Sequence, residues 1–236
     1  MDTVIKSTAT EAAGYVANLI AEQIRQALES RPRASLVLAG GSTFKPVYRQ
    51  LSEMTLPWSR LDLFFGDERN VPPDHEWSNY RMVRENWLSR YQAGEGPTVY
   101  RIAGELPAET AAKKYSEVLR NYGENKLPVY DVVLLGIGSD GHTASLFPNR
   151  LEEVIAKRVE VINVPAGQPP EVERITLTPL ALSRSRLIVI TATGGEKAEI
   201  VFQIQRYPEA RYPINVIECS YGRKILVLDR EAAGRL

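Results

Sequence analysis

The stretch Asp140-Gly141-His142-Thr143 places an imidazole two residues after a carboxylate. It follows the apolar run at residues 132–135, which stops at Gly136 as a buried parallel strand stops at a glycine loop. In open α/β sheets, ligands bind at the loops after the carboxyl ends of strands. An imidazole in such a loop, oriented by a carboxylate, has what a general base needs. The sequence therefore predicts His142 as a base with Asp140 beside it.

The alternatives to a general base are a purely structural histidine, a metal site and an acyl-enzyme mechanism. The alternative for His142 is a ring whose hydrogen bonds are satisfied within its own loop. The only other histidine, His75, lies in a polar stretch and is expected to be an exposed loop residue. With two histidines and no Cys, His or Asp at ligand spacing, we predict no metal site. The sequence lacks a serine-elbow motif, which disfavours an acyl-enzyme mechanism.

A second glycine loop follows the apolar run at residues 35–39. Its residues, Gly40-Gly41-Ser42-Thr43, precede a short predicted helix. Glycines allow close backbone approach, and the N–H groups at a helix start attract an anion. The loop has neither Walker A nor dinucleotide-fingerprint spacing. We expect either an anion-binding turn or a strand-to-helix turn of purely structural purpose.

Three cations lie beside apolar runs or glycine turns. Arg69 ends the charged run Asp67-Glu68-Arg69, Arg174 precedes an apolar stretch, and Lys197 begins a helix. Each could be a solvated surface charge. Arg69 could also hold an anion or a developing oxyanion, with a carboxylate fixing it in place. A lysine at a helix N-terminus opposes the helix dipole unless an anion binds there, so Arg174 and Lys197 are candidate phosphate contacts.

Apolar runs alternate with amphipathic segments along the chain. We predict helices at residues 7–31, 46–51, 78–88, 107–122 and 196–206, and one from 179. Strands are predicted at residues 35–39, 61–65, 99–102, 129–135, 159–164, 187–191, 215–217 and 225–228. Thr10 or Ser7 could cap the first helix. The alternation predicts an α/β fold with a doubly wound, mainly parallel sheet and helices on both faces. No linker divides residues 1–236, so we expect a single domain.

Composition narrows the range of partners. Of the 236 residues, 29 are Lys or Arg and 29 are Asp or Glu, so no net basic charge favours nucleic acid. The longest apolar run falls well short of the ~20 residues that span a bilayer, so no membrane partner is expected. The N-terminus shows no secretory signal, and the single cysteine, Cys219, suits a reducing compartment. We expect a cytoplasmic protein, either a monomer or a homodimer.

These motifs together resemble the 6-phosphogluconolactonases of the glucosamine-6-phosphate isomerase/6-phosphogluconolactonase family. The resemblance covers essentially the whole chain, and the string at residues 141–148, Gly-His-Thr-Ala-Ser-Leu-Phe-Pro, is its most specific part. The further matching motifs are Gly40-Gly41-Ser42-Thr43, Asp67-Glu68-Arg69 with Ser78-Asn79, Arg174-Ile175-Thr176-Leu177-Thr178 and Gly195-x-Lys197-Ala198.

The resemblance implies a modified Rossmann-like fold, no cofactor and no metal. It also implies hydrolysis of 6-phosphoglucono-δ-lactone, a small sugar phosphate, in the oxidative pentose phosphate pathway. By motif, His142 would activate water, with Asp140 and Arg69 as the other catalytic residues. The residues expected to bind the substrate are Gly40, Gly41, Ser42, Thr43, Asp67, Gly141, Thr143, Arg174 and Lys197.

The sequence departs from the family pattern in three places. Phe44 follows the first glycine loop where relatives often have proline, and Gln168 stands where a lysine is expected. Loss of that lysine would shift anion binding toward the remaining cations. Residues 218–224 also lack the usual proline and tryptophan.

Two other functions remain open. Glucosamine-6-phosphate deaminases share the Asp-Gly-His string, but they typically have Glu where this chain has Phe147 and Tyr where it has Arg69. Both differences favour lactone hydrolysis. A non-catalytic sugar-phosphate sensor is the second alternative, although Asp140, His142 and Arg69 together argue against it.

Overall fold

The computed structural model describes residues 1–92, 94–124, 126–167, 169–210 and 212–236. The α-helices are α1 (Ala9–Ser30), α2 (Lys45–Glu53), α3 (Asn79–Asn86), α4 (Ala108–Tyr122), α5 (Leu151–Lys157), α6 (Pro179–Leu182), α7 (Ala198–Arg206) and α8 (Pro213–Val216). The strands are β1 (Asp2–Lys6), β2 (Ala34–Leu38), β3 (Leu61–Phe65), β4 (Asp67–Arg69), β5 (Thr98–Tyr100), β6 (Val132–Gly136), β7 (Val161–Val164), β8 (Arg174–Leu177), β9 (Leu187–Ala192) and β10 (Arg223–Asp229). Gln168 lies outside the described residues.

The main sheet is parallel, with strand order β1-β10-β9-β6-β2-β3-β5. Residues of β2 and β3 are buried throughout, as their apolar sequences require in a sheet covered on both sides. The chain moves outward from β2 through β3 to β5, then returns to β6 on the other side of β2. The strand order therefore reverses between β2 and β6, where open α/β sheets form their ligand crevice. The predicted mainly parallel α/β fold is confirmed.

A small antiparallel sheet, β4-β8-β7, was not predicted. Gly66 alone separates β3 from β4, and it joins the two sheets. Its N–H donates to the Leu38 carbonyl of β2 (2.9 Å), and its carbonyl accepts from the Leu177 N–H of β8 (2.8 Å). The short, charged sequence of β4 carries no strand periodicity, so its pairing with β8 comes from tertiary context.

Helix α1 shows how the apolar pattern produces packing. Val16, Ile20 and Ile24 recur along one face and are at most 1% exposed. Each buried aliphatic side chain contributes about 1.5–3 kcal/mol relative to an exposed one. The cap prediction was wrong, because the hydroxyl of Thr8, rather than Thr10 or Ser7, accepts the backbone N–H of Glu11 at 3.2 Å.

Two further secondary-structure predictions need correction. The predicted strand at residues 215–217 is wrong, because Pro213–Val216 form α8, with proline at the first helical position where its missing N–H costs nothing. Strands β1 and β8 were also not predicted. No helix among the described residues is long and apolar enough to cross a membrane.

Candidate active site

Three neighbouring strands deliver their following loops to one cleft. Strand β6 pairs with β2 on one side and with β9 on the other. The loops after these strands, with β4 and β8, line a cleft of about 500 Å³. That volume falls within the about 300–1,000 Å³ typical of small-molecule sites.

His142 and Asp140 form a hydrogen-bonded pair in the loop after β6. His142 Nδ1 lies 2.5 Å from Asp140 Oδ1, and the His142 backbone N–H donates to the same oxygen at 3.1 Å. Partial burial raises the pKa of Asp140, but the backbone N–H and the ring of His142 outweigh it and hold this pKa below its ordinary value. An ionised Asp140 keeps the proton on Nδ1, which leaves Nε2 as the acceptor nitrogen. Among the described residues, none hydrogen-bonds Nε2.

Gly138 allows the His142 ring to take this position. The Gly138 N–H donates to the His142 carbonyl at 2.8 Å, which closes the loop. A Cβ at residue 138 would lie 2.2 Å from both Cε1 and Nδ1 of His142. On another side the ring packs against Phe147, with centroids 5.0 Å apart. The sequence analysis gave Gly138 no such role.

Tyr48 and Asn79 pack against the glycine loop that follows β2. Tyr48 of α2 is fully buried, and its hydroxyl accepts the Ala39 N–H (3.0 Å) and donates to the Ala39 carbonyl (2.6 Å). A Cβ at Gly40 would lie 2.0 Å from Asn79 Oδ1, so only glycine fits there. Gly41 has φ of 94°, a conformation that glycine adopts without strain. A 3₁₀ turn, Ser42–Phe44, then leads into α2 with its N–H groups near the cleft.

The loop after β9 repeats this arrangement. Gly194 has φ of 93°, and a 3₁₀ turn, Gly195–Lys197, leads into α7. The Gly194 N–H donates to the Asp229 carboxylate of β10 at 3.0 and 3.1 Å. Glu196 and Lys197 both line the cleft. Two glycine turns of similar conformation thus flank the His142 loop, a relation between distant segments that the sequence does not reveal.

Two arginines stand side by side on the antiparallel sheet. Arg69 of β4 pairs directly with Arg174 of β8. Arg174 is 4% exposed, its guanidinium donates to the Pro169 carbonyl (2.9 Å), and its Cζ lies 5.7 Å from the Phe147 ring centre. Burial, and then the charge of Arg69, lower the pKa of Arg174, opposed by Asp67 and Asp140. Two cations this close favour an anion between them.

Two buried polar atoms at the cleft have no hydrogen-bond partner among the described residues. They are Arg69 Nε and Thr143 Oγ1. The Arg69 guanidinium is tethered only through its terminal nitrogen, which donates to the Trp77 carbonyl at 2.8 Å. An unmet buried donor costs about 1–3 kcal/mol. Such atoms at the wall of a cleft point to a ligand that supplies their partner.

Asp67 adds a buried carboxylate to the same wall. It is 5% exposed and accepts hydrogen bonds from Ser145 Oγ (2.7 Å) and Asn79 Nδ2 (3.1 Å). Ser145 belongs to the loop after β6, so Asp67 links the antiparallel sheet to the His142 loop. Ser78 is the cap of α3, but Asn79 has this further contact, which local sequence gives no sign of.

The structure brings most of the predicted residues to the cleft wall: Gly40, Gly41, Ser42, Thr43, Asp67, Arg69, His142, Thr143, Arg174 and Lys197. Two stand behind it. Asp140 reaches the cleft through His142, and Gly141, with φ of 85°, turns the loop against Tyr212. His75 lies apart, with its ring against Trp77. Among the described residues, no three His, Cys, Asp or Glu side chains are grouped to hold a metal ion.

Comparison with known proteins identifies the family. The family model for glucosamine-6-phosphate isomerases/6-phosphogluconolactonase matches residues 7–226. The chain belongs to this family. The 6-phosphogluconolactonase of Synechocystis sp. is 33% identical over 223 residues, which span 92% of this chain and 90% of that protein.

Solved structures of the same family have the same fold as this chain. The 6-phosphogluconolactonase of Trypanosoma brucei superposes with a TM-score of 0.83 at 32% identity, covering 100% of this chain and 98% of that one. A monomeric glucosamine-6-phosphate deaminase also superposes with a TM-score of 0.83, covering 100% of both chains, but at 20% identity. The second likeness shows the fold alone. Because the fold accommodates both kinds of enzyme, the site must discriminate between them.

Proposed function

We propose that this chain hydrolyses 6-phosphoglucono-δ-lactone to 6-phosphogluconate, as a step of the oxidative pentose phosphate pathway. Relatives that carry the lactonase name, each matching nearly the whole chain, support this activity. The observation that carries the proposal is the His142–Asp140 pair, at 2.5 Å, in a cleft lined by two adjacent arginines. A base beside paired cations suits hydrolysis of an ester that bears a phosphate.

In this proposal His142 is the general base. Its Nε2 takes a proton from water while the water oxygen attacks the C1 carbonyl of the lactone. The protonated imidazole then gives that proton to the lactone ring oxygen that leaves C1, which yields a hydroxyl and a carboxylic acid, and the acid releases its proton to solvent to give the carboxylate of the product. Asp140 holds the Nδ1 proton and stabilises the imidazolium that forms between the two transfers. General acid–base catalysis of this kind contributes typically 10²–10⁴-fold.

Arg69 and Thr143 are the proposed donors to the oxyanion that forms at C1. Both have a buried polar atom unmatched among the described residues, and such preorganised donors act without reorganisation. The phosphate, remote from C1, would fix the orientation of the ring. The groups we assign to its binding are the N–H groups and hydroxyls of Gly40, Gly41, Ser42 and Thr43, with Arg174 and Lys197. Asp67 and Gly141 complete the substrate site.

The remaining parts of the proposal concern the protein as a whole. A lactone is an activated ester, so a base and an oxyanion donor suffice and no cofactor is invoked. We place the enzyme in the cytoplasm, as the single Cys219 suggests. We also propose that residues 1–236 act as one domain, either as a monomer or as a homodimer.

Deamination of an amino sugar phosphate is the second candidate, favoured only by the shared fold and the Asp-Gly-His string. Where the deaminase pattern has a glutamate, this chain has Phe147, whose ring packs on His142 and beneath Arg174. A carboxylate function is therefore absent at that position.

The first experiment follows decay of freshly generated 6-phosphoglucono-δ-lactone by NMR, with glucosamine 6-phosphate in a parallel reaction. We expect lactone loss well above the spontaneous rate and no ammonia from the amino sugar. Ammonia release would transfer the assignment to the deaminase. Phosphate-dependent binding with neither lactone hydrolysis nor ammonia release would favour a non-catalytic sugar-phosphate sensor.

The base assignment is tested with His142→Asn. We expect kcat to fall by at least about 10²-fold, with 6-phosphogluconate binding retained, because the asparagine cannot accept the water proton. His75→Asn is the matched control, since its amide can still accept the Trp77 N–H that His75 Nδ1 accepts at 3.2 Å. Nearly full kcat in His142→Asn would disprove the assignment.

A further inference from the structure

Glu68 is a buried carboxylate that lines no part of the cleft. It is 2% exposed, yet four donors surround it. Its Oε1 accepts the backbone N–H groups of Arg69 (2.9 Å) and Asn79 (2.6 Å). Its Oε2 accepts the Tyr80 N–H (2.8 Å) and the Ser78 hydroxyl (3.1 Å). A buried charge is tolerated only when its hydrogen bonds are satisfied in this way.

These donors come from the segments that hold the cleft residues. Three belong to the start of α3 and one to β4 itself, so Glu68 ties the helix to the strand. Immediately before that helix start, the Trp77 carbonyl holds the Arg69 guanidinium. At the start itself, the Asn79 amide donates to Asp67 and fills the space beside Gly40. Glu68 therefore holds the backbone N–H of Arg69 directly, while the Arg69 guanidinium is held by Trp77, the residue just before the helix start that Glu68 binds.

Glu68 shares the capping of α3 with Ser78, because it accepts the first two N–H groups of the helix, those of Asn79 and Tyr80. The Ser78 hydroxyl already accepts the Arg81 N–H at 3.1 Å, which is the ordinary side-chain cap of a helix. An apolar residue at position 68 would avoid the cost of burying a charge. What the carboxylate adds is a rigid connection between the helix start and Arg69.

We propose that Glu68 is a positioning residue, which acts through the start of α3 to fix Arg69, Asp67 and the Gly40 turn for the reaction. The inference rests on the proposed lactone hydrolysis, because Arg69 is the oxyanion donor of that mechanism. Glu68 itself touches no reacting atom. Misplacement of a catalytic donor by about 1 Å costs roughly 100-fold in rate, so loosening this clamp reduces kcat.

The charge on Glu68 makes the clamp sensitive to pH. Burial raises its pKa to about 7, against the lowering effect of the N–H groups of Tyr80, Asn79 and Arg69, and the neighbouring charge of Asp67 raises it slightly further. As pH falls through 7 the Glu68 carboxyl takes up a proton. The protonated oxygen is then itself a donor, and its proton opposes the two donors that this oxygen accepts at higher pH.

The other groups around Glu68 do not reverse the upward shift of its pKa. Arg101, in the loop after β5, interacts with its charge, but the guanidinium of Arg101 is engaged by Glu105 at 2.6 and 2.7 Å. From α3 the groups that meet Glu68 are the N–H groups of Asn79 and Tyr80 and the Ser78 hydroxyl. Across the antiparallel sheet the residue opposite is the apolar Ile175. Activity is therefore expected to fall on the acid side as Glu68 takes up its proton.

The test compares Glu68→Gln with wild type and with Glu85→Gln. Glu85 is an exposed carboxylate on the same helix that pairs with Arg81, and its change removes the same charge outside the clamp. The measurement is kcat and KM for the lactone across the acid limb of the pH profile, with spontaneous hydrolysis subtracted.

In Glu68→Gln we expect kcat to fall at least about tenfold at a pH one unit above the pKa of Glu68, while the acid limb loses the one proton that Glu68 contributes in wild type. Glu85→Gln should behave as wild type. A folded Glu68→Gln with kcat within twofold of wild type overturns the proposal. So does a lower kcat with an unchanged acid limb, which is the result of a merely structural role.

Thermal melts by circular dichroism show whether Glu68→Gln is folded at the assay temperature. If it is not, Glu68→Asp takes its place, because it keeps the charge but shortens the reach by one methylene. We then expect reduced kcat with the Glu68-type proton of the acid limb retained, and full wild-type kcat overturns the clamp. A wild-type chain that does not accelerate lactone decay refutes the proposed function instead, so the two failures are distinguishable.

Discussion

Gly138→Ala is the substitution whose effect the structure specifies most closely. The new Cβ would lie 2.2 Å from both Cε1 and Nδ1 of His142 and 2.8 Å from Asp140 Oδ1. Ordinary van der Waals contact begins at 3.4 Å, so the imidazole must withdraw by the 1.2 Å that separates 2.2 from 3.4 Å. The ring cannot simply tilt, because Phe147 packs against it and the Asp140 hydrogen bond fixes Nδ1.

A displacement of this size has a calculable kinetic cost. Misplacing a reacting group by about 1 Å costs roughly 100-fold in rate, which corresponds to about 2.7 kcal/mol of transition-state stabilisation. We expect the loss in kcat rather than in binding, because the glycine turns and the arginine pair are untouched. The Kd for 6-phosphogluconate, measured by calorimetry, should change by less than about threefold.

Gly195→Ala is the matched control for this experiment. It makes the same chemical change in a loop at the same end of the sheet, but its Cβ would meet nothing within 4 Å. Both variants are checked by circular dichroism before the lactone assay. A folded Gly138→Ala with kcat within threefold of wild type would refute the reasoning that the position of His142 limits the reaction.

Three further predictions concern other groups of the site. Thr143→Val removes a buried hydroxyl that has no hydrogen-bond partner among the described residues. Because this hydroxyl is a proposed oxyanion donor, kcat should fall about tenfold, while Tm stays unchanged or rises. A lower Tm at full kcat contradicts this. Arg174→Met keeps a buried apolar stem without the guanidinium, and calorimetry should show 6-phosphogluconate binding weakened at least about tenfold. The folded-state pKa of Glu68 is about 7 against an ordinary 4.5, so the native state binds more protons between these values and wild-type stability falls as pH rises through them. The loss is on the order of 3 kcal/mol. Glu68→Gln should lack it. Urea melts at the two ends of this pH range that give the same change in unfolding free energy for both proteins would contradict this.

Local sequence predicted the elements whose signals are local. The buried runs of β2, β3, β6 and β9 and the amphipathic α1 and α4 lie where apolar periodicity placed them, within a few residues at their ends. It failed for β4 and β8, which are short and partly charged, and for residues 215–217, where Pro213 begins a helix. The conformation of β4 and β8 depends on partners remote in sequence. At residues 215–217 it depends on Pro213, and apolar periodicity does not show that this proline begins a helix.

The sequence by itself determined the family, the α/β class and the candidate base. His142 and Asp140 are two residues apart in one loop, so their proximity is local, and the prediction needed only the end of one strand. Only the tertiary structure decided that Arg69 and Arg174 stand side by side, because antiparallel pairing of β4 with β8 joins segments that share no local pattern. The same holds for Glu68, whose burial and four donors follow from the packing of α3 on β4. Burial and long-range pairing depend on the summed contacts of the whole chain, and a residue's neighbours in sequence do not contain them.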